Sequence, residues 1–260
     1  MNSSAMDIRF STEDGVDLAG EFFFSRSVRP QPLVVLVPGA SLAGVGEDGD
    51  VGLRAIAKAL QAKNIVVFMY EGRGFGRSTG SRERQADTIT DLKAALAFVE
   101  KEVAGNCRRY GLLGLSVGGA GALKLAASNP KIGAVACYGT LPSYSHWFAA
   151  ERRQKVLEIQ WRESKQNLSL DDYAAQYDPI DCFEFAREVL ASVFLAGGTR
   201  DADFFRWEEQ LALANALTAA PSVSIQALRG WSHSLGKDNP GFEAAGAVFA
   251  AWFRETLTDT

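Results

Sequence analysis

The chain has 260 residues, a formal net charge of −4 and a hydrophobic fraction of 47%. This size and composition suit a globular chain with a sizeable core and argue against a disordered one. The acidic balance argues against nucleic acid as a partner, because phosphate binding needs clustered lysine and arginine.

The first two predicted strands are joined by Asp14-Gly15, a strong signal for the turn of a hairpin. The next segment, Leu33–Val37, is a continuous apolar run, which is typical of a strand buried on both faces of a parallel sheet. From there, predicted strands alternate with amphipathic helices. The predicted strands are 7–12, 16–25, 33–37, 64–70, 110–115, 132–138, 189–196 and 223–228, and the predicted helices are 51–62, 88–103, 118–127, 203–217 and 242–256. This alternation predicts an α/β fold with a doubly wound, mostly parallel, eight-stranded sheet.

One segment, residues 141–188, interrupts this alternation because it is too long for a plain connection. Its aromatic and charged residues at helical spacing predict a small helical lid insertion over one end of the sheet. The chain then divides into an α/β core, residues 1–140 and 189–260, and this insertion. The aromatic residues could line a substrate pocket or only attach the lid to the core. The residues considered for such a pocket are Trp147, Phe148, Trp161 and, in a later loop, Trp231.

The few cysteines and histidines limit the redox and metal chemistry of the chain. Cys107, Cys137 and Cys182 are widely spaced and form no Cys-x-x-Cys pair, so we expect reduced thiols rather than disulfides or a zinc site. His146 and His233 are too few for most multi-histidine metal sites, and we expect no metal and no other cofactor. No apolar run approaches the roughly 20 residues that cross a bilayer, and the first residues show no secretory signal. We therefore expect a cytoplasmic protein without membrane contact.

The pattern Gly-x-Ser-x-Gly occurs twice, around Ser116 and around Ser78. In a nucleophile elbow, a buried strand precedes the serine, a helix follows at once, and small residues let the two pass closely. Ser116 meets these conditions, because the predicted strand 110–115 precedes it and a run of small residues, 118–122, begins the next predicted helix. Ser78 is followed by a polar loop. We therefore predict that Ser116 is the nucleophile and that Ser78 belongs to a loop.

A serine hydroxyl needs a base that takes its proton, and histidine is the usual choice because its pKa lies near neutrality. His233 follows the last predicted strand, so it should lie at the same sheet edge as Ser116. His146 is expected instead in a partly buried cluster of aromatic residues.

An acid should orient the base. Asp201 and Asp203 both follow the seventh predicted strand, and we favour Asp201, since Asp203 is better placed to cap the next helix.

These features, with one further motif, resemble the α/β-hydrolase superfamily and its serine esterase and thioesterase branch. The further motif is Tyr-Glu-Gly-Arg-Gly-Phe-Gly-Arg-Ser at residues 70–78, which is similar to the family's Asp-x-Arg-Gly-x-Gly-x-Ser stretch with Glu71 in place of the aspartate. The resemblance extends from about Val16 to Phe253 and implies that the loop with Ser78 is structural. The order serine, aspartate, histidine along the chain is the one that this architecture uses.

Acyl transfer by such a triad passes through a tetrahedral oxyanion, which backbone N–H groups stabilise. One donor is expected at Val117, directly after the nucleophile, and the other in the loop after strand 33–37. Many relatives carry His-Gly in this loop, whereas this chain has Pro-Gly-Ala-Ser; Ala40 is the first choice as donor and Ser41 the second. The glycine-rich and acidic continuation, residues 43–52, is expected to be a mobile flap.

The sequence thus predicts a serine hydrolase that cleaves a carboxylic ester or a thioester of a small-molecule acyl substrate through an acyl-enzyme. Amide or peptide hydrolysis and acyl transfer use the same triad and stay open. A non-catalytic ligand-binding protein on the same scaffold is the third hypothesis. The sequence leaves open the acyl chain length and whether the chain forms a homo-oligomer.

Overall fold

A computed structural model describes residues 6–24, 31–39, 47–81, 87–102, 109–149, 151–164, 166–202, 204–233 and 242–257. The strands in this part of the chain are β1 (Met6–Ser11), β2 (Asp17–Phe23), β3 (Leu33–Val37), β4 (Val66–Tyr70), β5 (Tyr110–Leu115), β6 (Ile132–Tyr138), β7 (Ser192–Gly198) and β8 (Val223–Leu228). They form one sheet in the order β1-β2-β4-β3-β5-β6-β7-β8. The pairs β1–β2 and β2–β4 are antiparallel and the other pairs are parallel, as the predicted α/β fold requires.

Helices cover both faces of this sheet. Those in the described residues are α1 (Glu47–Ala62), α2 (Asp87–Glu102), α3 (Val117–Ala126), α4 (Tyr144–Ala149), α5 (Glu151–Ser164), α6 (Leu170–Ala175), α7 (Trp207–Ala216) and α8 (Phe242–Leu257). Helices α1 and α8 pack together over one face, and α2 and α3 over the other. Among the described residues, no helix combines the length and the apolar character that a membrane crossing requires.

Strand β3 shows why its sequence is apolar throughout. Val34 and Leu36 join the core on the side of α1 and α8, whereas Leu33, Val35 and Val37 join the core on the side of α2 and α3. Successive side chains of a strand point to opposite faces, so a strand covered on both sides needs apolar residues at every position. Each such buried side chain contributes about 1.5–3 kcal/mol, and β3 therefore lies at the centre of the fold.

Two of the elements whose starts differ from the prediction are α1 and β7. Helix α1 begins at Glu47, so residues 47–52, which were predicted within a flap, belong to a helix. Residues 40–46 lie outside the described part of the chain. Strand β7 begins at Ser192 rather than at residue 189, because residues 186–188 form a 3-10 turn and the chain extends only after it.

The helix after β7 also differs from its prediction. Helix α7 begins at Trp207, and its N-cap residue, Arg206, makes no side-chain capping hydrogen bond. The prediction that Asp203 caps this helix is therefore wrong, and Asp203 itself lies outside the described residues. The turn before the helix is held instead by the N–H of Phe205, which donates to the carbonyl oxygen of Asp201 at 2.8 Å.

Residues 141–188, described except for 150 and 165, are helical as the sequence predicts. They comprise α4, α5 and α6, followed by the 3-10 turns Asp178–Ile180, Cys182–Glu184 and Ala186–Glu188. Several aromatic side chains of this insertion join the core on the side of α2 and α3; they are Tyr144, Phe148, Tyr173, Tyr177 and Phe185. The insertion is therefore anchored to the core through these rings, and its role as a lid stays a prediction.

Candidate active site

Ser116 occupies a sharp turn between β5 and α3. Its backbone has φ +52° and ψ −121°, a conformation that side-chain-bearing residues rarely adopt. A Cβ atom on Gly114 would clash with the backbone of Gly119, and one on Gly118 would lie 2.6 Å from the carbonyl oxygen of Val37. Glycine at these positions thus lets the strand and the helix approach closely. The result is the strand–turn–helix geometry of a nucleophile elbow, with Ser116 half-buried at its tip.

His233 and Asp201 complete a chain of polar contacts that starts at Ser116. The distance from Ser116 Oγ to His233 Nε2 is 3.2 Å, and that from His233 Nδ1 to Asp201 Oδ2 is 2.9 Å. The carboxylate is buried, whereas 28% of the His233 side chain is exposed. An imidazole held in this way can accept a proton from the serine while the buried carboxylate fixes its tautomer.

The loop that carries His233 is tied to the ends of two strands. The N–H of Arg200 donates to the carbonyl oxygen of Trp231 at 2.9 Å, and the Tyr138 hydroxyl donates to the carbonyl oxygen of Ser232. The ring of Phe204 stacks on the imidazole of His233, with 3.9 Å between ring centroids and 23° between planes. The imidazole is therefore positioned by its loop, by Asp201 and by an aromatic neighbour.

Gly139, which the sequence reasoning missed, lies between β6 and the candidate base. It has φ +60°, and a Cβ atom there would lie 2.9 Å from His233 Nδ1 and 3.1 Å from Asp201 Oδ2. Only glycine suits both this backbone conformation and this close approach. A glycine directly after a buried parallel strand, at the sheet edge where the site was predicted, was the signal available in the sequence.

Thr140, the next residue, was also missed and braces the elbow. Its hydroxyl donates to the carbonyl oxygen of Ser116 at 2.9 Å, and its own carbonyl oxygen accepts from the buried amide of Gln210 at 2.9 Å. The end of β6 thus links the elbow to α7. These two hydrogen bonds fix the position of the elbow relative to α7.

The predicted oxyanion hole is only partly described. Val117 is the first residue of α3, and the N–H groups of the first turn of a helix have no acceptor within the helix. A Cβ atom on Gly39 would lie 2.9 Å from the carbonyl oxygen of Leu115, so the loop after β3 runs directly beside the elbow. Ala40 and Ser41 lie outside the described residues. The second donor of the hole therefore stays a prediction.

The predicted pocket aromatics occupy different environments. Phe148 is buried against Tyr144 and Tyr177, and the half-buried Trp161 donates its indole N–H to the carbonyl oxygen of Leu168 at 2.8 Å. The side chain of Trp147 lies outside the described part of the structure.

Trp231 and His146 do not lie where the sequence predicted. The assignment of Trp231 to the substrate pocket is wrong, because its ring is buried in the core on the side of α1 and α8, edge-on to Tyr138. His146 was expected in a partly buried aromatic cluster but is exposed, with its ring 6.4 Å from that of Phe183. The sequence neighbours of Trp231 and His146 did not indicate whether either side chain is buried or exposed.

Two cavities of the described structure lie away from these residues. One of about 550 Å³ lies between β1 and α2, and one of about 530 Å³ lies between α1 and α8. Neither is lined by Ser116, Asp201 or His233. Residues 40–46 and 234–241, which adjoin the site in sequence, lie outside the described part.

The loop around Ser78 has a structural arrangement. The Ser78 hydroxyl donates to the carbonyl oxygen of Glu71 at 2.6 Å and accepts from the N–H of Ala19 at 3.0 Å. Buried Arg73 of the same loop bonds Asp14 and Asp91, which joins the β1–β2 hairpin to α2. This loop therefore fastens the antiparallel edge of the sheet.

The described thiols are buried and paired with no other thiol. Burial raises the pKa of Cys137 to about 12 and places the pKa of Cys182 well above its usual range. Both thiols are therefore protonated at neutral pH and unsuited to act as nucleophiles. Cys107 lies outside the described residues, and no group of three or more His, Cys, Asp or Glu among the described ones could hold a metal ion.

Comparisons with known proteins concern the family and the fold of the chain. A family model described as serine aminopeptidase, S33, matches residues 30–178. The thiohydrolase apmlB of Arthrinium phaeospermum is 27% identical over 176 residues, which are 65% of this chain and 54% of that protein. The polyketide transferase grgF of Penicillium sp. is 28% identical over 165 residues, which are 62% of this chain and 53% of that protein. The chain thus spans about half the length of these relatives.

A solved structure with the same fold is the esterase Pf2001 of Pyrococcus furiosus. Its TM-score is 0.75 at 18% sequence identity, and the match covers 98% of this chain and 91% of that chain. At this identity the likeness concerns the fold alone. The family model, however, covers more than half of the sequence, and the protein therefore belongs to the serine aminopeptidase, S33, family of α/β hydrolases.

Proposed function

We propose that this α/β hydrolase cleaves a carboxylic ester or a thioester with Ser116 as nucleophile, His233 as base and Asp201 as the acid that orients the base. The single observation that carries the proposal is the pair of contacts from Ser116 Oγ to His233 Nε2, 3.2 Å, and from His233 Nδ1 to Asp201 Oδ2, 2.9 Å. The positive φ of Ser116 supports it, because strain of this kind persists where a site over-determines the backbone.

In the proposed reaction, His233 takes the proton of Ser116 as the serine oxygen attacks the carbonyl carbon. The N–H of Val117 and a second N–H from the loop after Gly39 stabilise the oxyanion. The intermediate collapses, His233 gives the proton to the leaving alcohol or thiol, and an acyl-enzyme remains. Water then attacks the acyl group, with His233 again as base, and releases the acid.

The choice of ester or thioester rests on chemistry and on the relatives. The matched proteins include a thiohydrolase and an esterase, which suits attack on activated acyl groups. The helical insertion packs on the core beside this edge of the sheet, and we propose that it acts as a lid that shelters the acyl group. The buried, unpaired thiols suit the cytoplasmic location predicted from the sequence.

Acyl transfer is the second candidate, because one matched protein is named a polyketide transferase. The same acyl-enzyme would then pass its acyl group to an alcohol, amine or thiol acceptor instead of water. Amide or peptide hydrolysis would use the same residues, and the family description names an aminopeptidase. Adding a nucleophilic acceptor such as methanol to an ester assay, and measuring the ratio of transfer to hydrolysis, separates transfer from hydrolysis.

The test of the proposal is intact-mass spectrometry after treatment with a fluorophosphonate probe. The wild type should gain one adduct, Ser116→Ala should gain none, and Ser78→Ala, at the other Gly-x-Ser-x-Gly match, should label like the wild type. Ester turnover by Ser116→Ala should fall at least about 10³-fold. A folded wild type without an adduct would overturn the proposal and favour a ligand-binding protein on this scaffold.

A further inference from the structure

A buried tyrosine stands beside the proposed nucleophile. Tyr144 is the first residue of α4, and only 4% of it is exposed. Its ring stacks on Tyr177, with 4.6 Å between centroids, and borders Phe148 at 6.3 Å. The apolar part of the side chain is therefore fully explained by packing within the insertion.

The hydroxyl of Tyr144 is not explained by that packing. It is buried, and none of the described residues forms a hydrogen bond with it. Buried hydroxyls nearly always have a partner, because an unmade hydrogen bond costs the group its hydration without compensation. A phenylalanine would fill the same space without this cost. We therefore expect the hydroxyl to bind a partner that the described part of the free protein does not supply.

Hydrogen bonds hold the start of α4 against the elbow. The Thr140 hydroxyl donates to the carbonyl oxygen of Ser116 at 2.9 Å. A few residues on, the carbonyl oxygen of Pro142 accepts from the N–H of Cys182 at 2.8 Å, which fixes the chain just before Tyr144. The segment that leads into Tyr144 is thus tied to the elbow at Thr140 and to the later part of the insertion at Pro142.

The hydroxyl of Ser116 is the polar neighbour of the phenol. Burial raises the pKa of Tyr144 far above its usual value and the nearby Cys182 adds to this shift, whereas interaction with the Ser116 side chain opposes it. A phenol in this state keeps its proton throughout the neutral range. It is therefore a hydrogen-bond donor near the Ser116 side chain and not a base.

We propose that Tyr144 is a further catalytic residue whose hydroxyl donates a hydrogen bond to the tetrahedral intermediate formed at Ser116. The inference rests on the proposed function of Ser116. The phenol keeps its proton, and His233 alone moves the proton between the serine and the leaving group. Because the hydroxyl lacks an acceptor before the reaction and gains one in the intermediate, the contact stabilises the transition state more than the ground state and so lowers the barrier.

The decisive variant is Tyr144→Phe, assayed with p-nitrophenyl esters. We expect kcat to fall by about 10-fold to 10³-fold, the range for removing one donor to a developing oxyanion, with KM within about twofold of the wild type. The Tm should stay the same or rise, because the substitution removes a buried hydroxyl without a bond in the described structure. A purely structural role would move Tm and leave kcat unchanged.

Tyr177→Phe is the matched control, since it removes a phenol from the same aromatic cluster. The Tyr177 side chain interacts with Tyr173. We expect this variant to lose stability and to retain kcat, the opposite pattern to Tyr144→Phe. If Tyr144→Phe retains the kcat of the wild type, or loses kcat only together with a large fall in Tm, the proposal is overturned. If it does not fold, Tyr144→Met carries the same test.

The rate of fluorophosphonate labelling separates this inference from the proposed function. A wild type that does not label at Ser116 overturns both. A wild type that labels, with Tyr144→Phe labelling and turning over equally fast, overturns the role of Tyr144 alone. A series of phenyl esters then assigns the acceptor, and either pattern supports the inference: a uniform loss indicates the oxyanion, and a loss that grows with leaving-group basicity indicates the leaving-group oxygen.

Discussion

The two Gly-x-Ser-x-Gly segments carry one pattern in two different surroundings. Ser116 stands at φ +52° at the tip of a strand–helix turn, with its Oγ 3.2 Å from His233 Nε2. Ser78 lies in a loop, where its hydroxyl bridges the carbonyl oxygen of Glu71 and the N–H of Ala19. One hydroxyl therefore faces a base, and the other is occupied by backbone hydrogen bonds that hold two strands together.

The glycines of the pattern also serve different purposes in the two segments. In the elbow, Gly114 and Gly118 have no room for a Cβ atom because the strand, the helix and the neighbouring loop pass so closely. In the other loop, Gly76 and Gly80 adopt φ +54° and +76°, a backbone region that favours glycine, and a Cβ atom there would meet the side chains of Glu71 and Val16 rather than backbone. The pattern thus reports small residues around a serine, and the adjoining elements decide whether that serine can react.

The largest effect that would sharpen this comparison is expected from Asp201→Asn. An amide cannot hold the histidine in the tautomer that accepts the serine proton, and we expect kcat to fall by about 10³–10⁴-fold. Because Asn has nearly the same shape as Asp, the Tm should change little. Steady-state kinetics with a p-nitrophenyl ester, beside a thermal melt, measure both quantities.

Asp91→Asn is the control for this prediction in the other region. Asp91 is fully buried. Its carboxylate accepts two hydrogen bonds from Arg73, one from the side-chain Nε–H at 2.7 Å and one from the backbone N–H at 2.9 Å. Its substitution should weaken a buried ion pair and lower the Tm while the folded enzyme keeps its kcat. Equal losses of kcat in the two variants would remove the distinction between a catalytic and a structural carboxylate.

Gly139→Ala should produce the next largest effect. The new methyl group would lie within about 3 Å of His233 Nδ1 and Asp201 Oδ2, so the imidazole must shift. A displacement of this size at a reacting group costs on the order of 10²-fold in kcat. Gly15→Ala is the control that separates displacement of the imidazole from backbone strain. Gly15 also has a positive φ, +82°, but a Cβ atom there would meet open space. This control variant should lower stability without changing kcat.

Much of the fold was predictable because the deciding signals are local. The apolar run of β3 and the alternation of strands and helices predicted the sheet, and the structure has all eight strands. Boundaries were less predictable where an apolar residue does not continue a strand. Val189 is buried and apolar, yet it follows a 3-10 turn and packs into the core ahead of β7. Tertiary packing, which a short window cannot report, decided that case.

The candidate site was predictable only in part. Ser116 directly follows a predicted strand, and Asp201 and His233 lie in the loops after two others. Parallel strands bring those positions to one edge, where the structure places them together. The parts that we assign to Gly139 and Tyr144 depend on neighbours that are distant in the sequence, His233 and Asp201 for the glycine and Ser116 for the tyrosine. Nothing in a single glycine or tyrosine shows what it faces, and both were missed for that reason.

A smaller effect on activity is expected from Phe204→Leu. Stacking of this ring on His233 restricts the imidazole, and aromatic pairs of this kind contribute about 0.5–1.5 kcal/mol. Leucine keeps apolar volume but cannot stack, so kcat should fall by roughly 2-fold to 10-fold, with KM little changed. Phe98→Leu removes a comparable stack, on Phe10 at 5.2 Å, far from the site. A fall in kcat there as large as in Phe204→Leu would contradict a positioning role.

Ser78→Ala should leave activity unchanged and lower stability, which is the mirror image of Ser116→Ala. Without the hydroxyl, the carbonyl oxygen of Glu71 and the N–H of Ala19 lose a partner, and a loss of about 1 kcal/mol in unfolding free energy follows. Among the described residues, the Ser116 side chain forms no hydrogen bond with the backbone, so the urea midpoint of Ser116→Ala should stay close to that of the wild type while turnover is lost. Urea unfolding and ester turnover, measured on both variants, should therefore give opposite results. A Ser78→Ala variant with wild-type stability and reduced turnover would mean that the loop communicates with the site through something other than the hydrogen bonds of Ser78.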